Sequence, residues 1–151
     1  MDLPPVSGGD YGAPARPVVV VGYDGSPGGR AALAYAAWRA GHEGLVVIVN
    51  AAAPAPDWFG APSYQPAAPG EGKPLVEGIE LPEGVRHETV VEHGSPPRLL
   101  ERAAARYEAD EIVVGRHGSD PARTGLGDVP LALLGHARCP VVVVPTGWKP
   151  A

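Results

Sequence analysis

The apolar pattern of the chain begins at PVVVVGYD (17–24), a β-branched run closed by Gly and Asp. Hydrophobicity that is continuous over so short a span predicts a strand buried on both faces. SPGGRAALAYAAWRAG (26–41) changes period. Leu33, Ala36, Ala37 and Ala40 share one side of a helix, with Ser26 as cap, Pro27 in the first turn and Gly41 at the stop. GLVVIVNA (44–51) predicts a second buried strand, and VRHETVVEH (85–93), alternating only in part, a strand at a sheet edge. SPPRLLERAAARYEAD (95–110) predicts a second helix: Ser95 caps it, Pro96 and Pro97 open it, and Leu99, Leu100, Ala103 and Tyr107 face inward. EIVVG (111–115) predicts a strand, DVPLALLGHA (128–137) a short helix with Asp128 as its cap, and PVVVVP (140–145) a last strand.

Between the second and third strands the pattern fails. Residues 52–84 carry Pro54, Pro56, Pro62, Pro66, Pro69, Pro74 and Pro82, a density at which a long helix loses too many donors to survive. LVEGIEL (75–81) is expected to form at most a turn or short irregular element, within a loop long enough to be functional or mobile. Residues 1–16, rich in Pro, Gly and Ser, read as a disordered arm; 17–146 form one domain and 147–151 a tail. The order β-α-β-loop-β-α-β-α-β implies a mostly parallel, doubly wound α/β sheet with right-handed crossovers. Ligands of such sheets sit at the carboxyl ends of the strands. Asp24 and the glycine-rich loop GRHGSDPARTGLGD (115–128) both fall there, placed to share one crevice.

Composition narrows the function. The chain has 151 residues, a net charge of −5 and 12 Lys and Arg that are scattered singly, which disfavours duplex nucleic acid. No segment has the length of a membrane helix or the apolar core of a signal peptide, so a cytoplasmic protein with no membrane partner is expected. The single cysteine, Cys139, reads as a small core residue, and His42, His87, His93 and His136 have no metal-ligand spacing, so no metal site is expected. His117 reads as an exposed loop histidine. SGGD (7–10) looks like a pyrophosphatase-type loop but precedes any strand and is set aside.

VVVGYDGSPGGRAALAYAA, together with HGSPPRLLERAAARYEADEIVVGRHG and GDVPLALLGHARCPVVVVP, resembles the universal stress protein family over roughly residues 17–145. The resemblance implies a Rossmann-like five-stranded parallel sheet of order 3-2-1-4-5, with the helix between strands 2 and 3 lost or reduced here. It also implies an adenine nucleotide, ATP or AMP, with Mg²⁺ accompanying ATP. The ATP-binding members carry G-x2-G-x9-G-[Ser/Thr]; Gly115, Gly118 and Gly127 match the glycines. This chain departs twice, with eight residues between Gly118 and Gly127 and with Asp128 in place of the hydroxyl residue. By the same resemblance Asp24 and Ala51 face adenine and ribose, and Val114 and Val129 stand beside the glycines. The family pairs its last strand across a two-fold axis, implying a homodimer through Val141, Val142, Val143 and Val144, an apolar run unsuited to an open edge.

The residues alone leave alternatives. Asp24 also serves as a turn residue, and the three glycines also serve as turns without ligand. The backbone amides of residues 127–129 at a helix N-terminus form an anion site, but the Asp128 carboxylate opposes a phosphate by about 1 kcal/mol at water's dielectric and about 4 kcal/mol at an effective value near 20. Arg116, Arg123 or a bridging Mg²⁺ would offset it. The expectation is a stress-response protein with weakened nucleotide binding, against an interaction module of the same fold acting through its dimer surface or Pro-rich loop. With no base or Ser-His-Asp order placed near the loop, an enzyme is not expected, although weak ATP hydrolysis stays open. Losing a crossover helix would uncover apolar surface over strands 2 and 3, for which Trp58, Phe59 and Tyr64 are the expected lid, with a partner site as the alternative.

Overall fold

Val19, Val20 and Val21 at the centre of the first strand, β1 (Val18–Gly22), are wholly excluded from solvent. Successive side chains of a strand face opposite sides, so Val19 and Val21 enter one hydrophobic cluster and Val20 another. This alternation organises the molecule. The computed structural model describes residues 16–52, 78–117 and 125–151. After β1 come α1 (Pro27–Ala40), β2 (Leu45–Ala52), β3 (Arg86–His93), α2 (Pro96–Arg106), β4 (Glu111–Gly115), α3 (Asp128–His136) and β5 (Val141–Val144). The five strands pair in parallel in the order β3-β2-β1-β4-β5, as expected. Helix α1 packs over Val19, Val21, Val46 and Ile48, whereas Leu99 and Leu100 of α2 and Leu133 of α3 pack over Val20, Val47, Ile112 and Val114. No helix among the described residues is long and apolar enough to cross a membrane.

The ends of α1 follow the sequence signals. Ser26 Oγ accepts from the Gly29 N–H at 3.0 Å, Pro27 opens the first turn, and Gly41 (φ 58°) donates its N–H to Ala37. Those of α2 do not. Ser95 occupies the cap position without a side-chain hydrogen bond; of the two amides a capping oxygen serves, the second residue, Pro97, offers none. At its other end α2 stops at Arg106 rather than 110. The Glu108 N–H donates to Ala105 and the Ala109 N–H to Ala104, a terminating motif normally built on glycine, here with Glu108 itself at φ 49°. The chain is then drawn to β1, where Asp110 donates its N–H to Val18 O at 2.8 Å and its carboxylate accepts from Val18 N–H at 2.7 Å. Tyr107, expected to face inward, is half-buried, and its hydroxyl reaches out to donate to Glu88 of β3 at 2.7 Å.

The expected lack of a helix in 52–74, beyond Ala52 at the end of β2, the aromatic lid of Trp58, Phe59 and Tyr64, and the expected arm over 1–16, apart from Arg16, lie outside the described residues. Where the chain resumes, 78–85 forms turns, and Ile79, Leu81 and Val85 pack against the cluster that holds Val46 and Ile48. They supply cover over β2 on the α1 side.

Candidate functional site

The crevice at the carboxyl ends of β1 and β4 is built by close backbone contact. A Cβ on Gly28 would lie 2.5 Å from the His117 carbonyl oxygen, and one on Gly115 would lie 2.6 Å from the Gly28 carbonyl. The first turn of α1 therefore rests directly on the chain leaving β4. On the other side of that chain, Gly127 donates its N–H to Arg116 O at 2.8 Å, and a Cβ on Gly127 would lie 3.2 Å from the His117 Cα. Gly115, expected to approach a ligand, is thus already required by packing, and a methyl group at Gly127 would be tight against His117.

Asp24 follows β1. Its Oδ1 accepts from the Ser26 N–H at 2.9 Å and from the Ser26 hydroxyl, whose oxygen caps α1. The turn reading of Asp24 is therefore realised, and the same turn fixes the carboxylate at the mouth of the crevice. Asn50, buried in β2, donates to Tyr23 O at 2.8 Å and ties the two strand ends together.

Asp24, Ala51, Val114, Gly115, Gly127, Asp128 and Val129, seven of the eight residues singled out in the sequence, line one crevice of about 280 Å³. Gly118, like Arg123, lies outside the described residues. Three details of the sequence reading change. Gly127 is the cap of α3 and Asp128 its first helical residue. Because the Gly127 amide is spent on Arg116 and Pro130 has no N–H, the first turn offers an anion no more than the amides of Asp128 and Val129. And His117, read as an exposed loop residue, is half-buried, lines the crevice, and has a buried Nδ1 without a hydrogen-bond partner among the described residues. Ser26, Gly29 and Leu100 also line it and were not anticipated, since only the fold brings α1 and α2 to the β4 loop. Among the described lining residues there are two carboxylates and no Lys or Arg.

An open parallel sheet with a crevice at the strand ends, floored by glycine and edged by a helix N-terminus, defines a Rossmann-like α/β domain. The model of the universal stress protein family matches residues 16–145, and the chain belongs to that family. It is 29% identical, over 83% of its length and 96% of the relative's, to the universal stress protein in the QAH/OAS sulfhydrylase 3' region of Thermus aquaticus. Among solved structures it resembles universal stress protein UspA from Lactobacillus plantarum (TM-score 0.63, 20% identity, 87% of this chain and 99% of that one). It also resembles a universal stress protein crystallised in complex with cAMP (TM-score 0.57, 25% identity, 89% of this chain and 100% of that one).

Proposed function

We propose that the chain is a stress-response binding protein that holds an adenine nucleotide weakly in the crevice at the strand ends, without turnover. The observation that carries this reading is the convergence of Asp24, Ala51, Val114, Gly115, Gly127, Asp128 and Val129 on one cavity. The similarity to a family member bound to cAMP supports an adenine nucleotide as the class of ligand. In this reading Asp24 and Ala51 meet the base and ribose, Val114 and Val129 form the walls, and Gly115, Gly118 and Gly127 admit the phosphates. Weakness follows from the walls: Asp128 opposes the phosphates, and the α3 terminus has lost two of its amides to Arg116 and to proline. Were Mg²⁺ to accompany ATP, Asp128 would help hold it and the ion would offset the repulsion between this carboxylate and the phosphates, since Mg²⁺ favours carboxylate and phosphate oxygens.

The test is calorimetric titration with ATP, AMP and cAMP, each with and without Mg²⁺. Dissociation constants of roughly 10 µM to 1 mM are expected. No heat from any of the three, with the fold intact by circular dichroism, sinks the reading. It would favour an interaction module working through a homodimer surface. One observation speaks for that surface: among the described residues nothing pairs beyond β5, whose Val141, Val142 and Val143 are only half-buried.

A further inference from the structure

A second cavity, of about 470 Å³, lies on the α2–α3 side of the sheet at the opposite end of β4. It uses Ile112 near the start of that strand, whereas the nucleotide crevice uses Val114 and Gly115 at its end. The volume is within the range of small-ligand sites, roughly 300–1,000 Å³. Its floor is apolar, formed by Ala104, Ala109 and Ile112. Its rim carries Arg98, Arg102, Arg138 and His136 against a single carboxylate, Glu101. On a chain of net charge −5 this cationic ring is not a reflection of composition.

Helix electrostatics accounts for part of the ring only. His136 in the last turn of α3, with Arg138 just beyond it, complements the negative end of that helix. Arg102 lies 3.9 Å from Glu92. Arg98, however, stands third in α2, in a first turn without an acidic residue, where the helix dipole disfavours a cation. Glu101 contributes a buried Oε1 that has no hydrogen-bond partner. We propose that this cavity binds a medium-chain carboxylate, its apolar chain on Ala104, Ala109 and Ile112 and its acid group between Arg98 and Arg138.

Cys139 makes the proposal testable. It is the only cysteine of the chain, it lines the cavity, and burial pushes its thiol above the usual range, so it reacts slowly and from within the site. The experiment follows alkylation of Cys139 by N-ethylmaleimide in the full chain by mass spectrometry, with decanoate or with decanol, its uncharged counterpart. Saturating decanoate is expected to slow the reaction about ten-fold, as a competitor at ten times its dissociation constant does, and decanol much less. Arg98→Glu with Arg138→Glu, both exposed positions, should abolish most of the protection, and Glu101→Gln should increase it. Equal protection by decanol would mean an apolar surface without anion recognition and would overturn the proposal. So would no protection by decanoate, or protection that survives the double charge reversal.

Discussion

Gly28 and Gly115 face each other across the junction of α1 and β4 at distances that leave no room for a methyl group on either. Backbone yields to such overlap only by separating the two elements, so Gly28→Ala and Gly115→Ala should each cost about 1–3 kcal/mol. The loss should show as a lower urea midpoint at unchanged slope. Asp128 gives the opposite trade. As the first residue of α3 its carboxylate gains from the positive end of the helix, so Asp128→Ser should lower stability by about 0.3–1 kcal/mol. Because Asp128 is exposed, the water-like end of the electrostatic scale applies to its repulsion of phosphate. Without Mg²⁺, ATP affinity should rise by about 1 kcal/mol, or roughly five-fold, and AMP affinity by less. With Mg²⁺ present, a fall in ATP affinity on the same substitution would identify Asp128 as a holder of the ion.

At the scale of elements, two contacts around α1 decide how it sits on the sheet. Arg39 near its end reaches Glu111 at the start of β4 at 3.6 Å, with the two side chains only 23% and 11% exposed. The other Glu111 oxygen is buried without a hydrogen-bond partner, and burial, only partly offset by Arg39, holds the Glu111 carboxyl above the usual range. An acid whose folded-state pKa is raised is disfavoured when ionised, so this contribution is intact below the unfolded-state value and is lost as pH rises through the folded one. Relative to Glu111→Gln, the wild-type chain should therefore lose stability as pH rises above the ordinary glutamate range, about pH 4, a difference readable from urea midpoints measured across a pH series. The second contact comes from the end of the chain. A turn closed by the Trp148 N–H to Pro145 O at 3.1 Å, with Gly147 at φ 84°, returns Trp148 onto α1. Its ring meets Tyr35 at 5.3 Å and Trp38 at 5.8 Å, both edge-on. Trp148→Ala should cost about 1–2 kcal/mol, and truncation after Pro145 should lower stability by at least as much, read from urea midpoints.

For the whole molecule, the two edges of the sheet differ in a way that bears on assembly. Strand β3 presents exposed Arg86, His87 and Glu88, side chains that discourage further pairing. Strand β5 is four valines without a charge. Pro140 and Val144 turn their carbonyls toward β4, so Val141 and Val143 present their backbone groups at the open edge. A dimer at tens of micromolar is expected by sedimentation, on the scale of ordinary specific interfaces. Val143→Pro removes an outward donor and should give a monomer with the sheet retained; an unchanged dimer would place the interface elsewhere.

The order and type of the elements are legible along the chain, because apolar runs such as 18–21 and 141–144 and caps such as Ser26 and Gly41 are local signals carried within a few residues. The sequence also marked Asp24, Gly115, Gly127 and Asp128, through the position of Asp24 after the first strand and the match of the glycine-rich loop to the family's glycine pattern. Their partners were decided by the tertiary structure. Nothing local in α2 shows that Glu108 takes the place of a terminal glycine; the need to bring Asp110 to Val18 does. Nothing near Gly127 shows that its amide is spent on Arg116, nor near His117 that it turns into the crevice, because each depends on α1 and α3 closing on the chain after β4. The edge-on contact of Trp148 with Tyr35, 113 positions away in the chain, is of the same kind. Hydrophobic period and caps are read along the chain, whereas the use of each donor, acceptor and ring is settled only when distant segments meet.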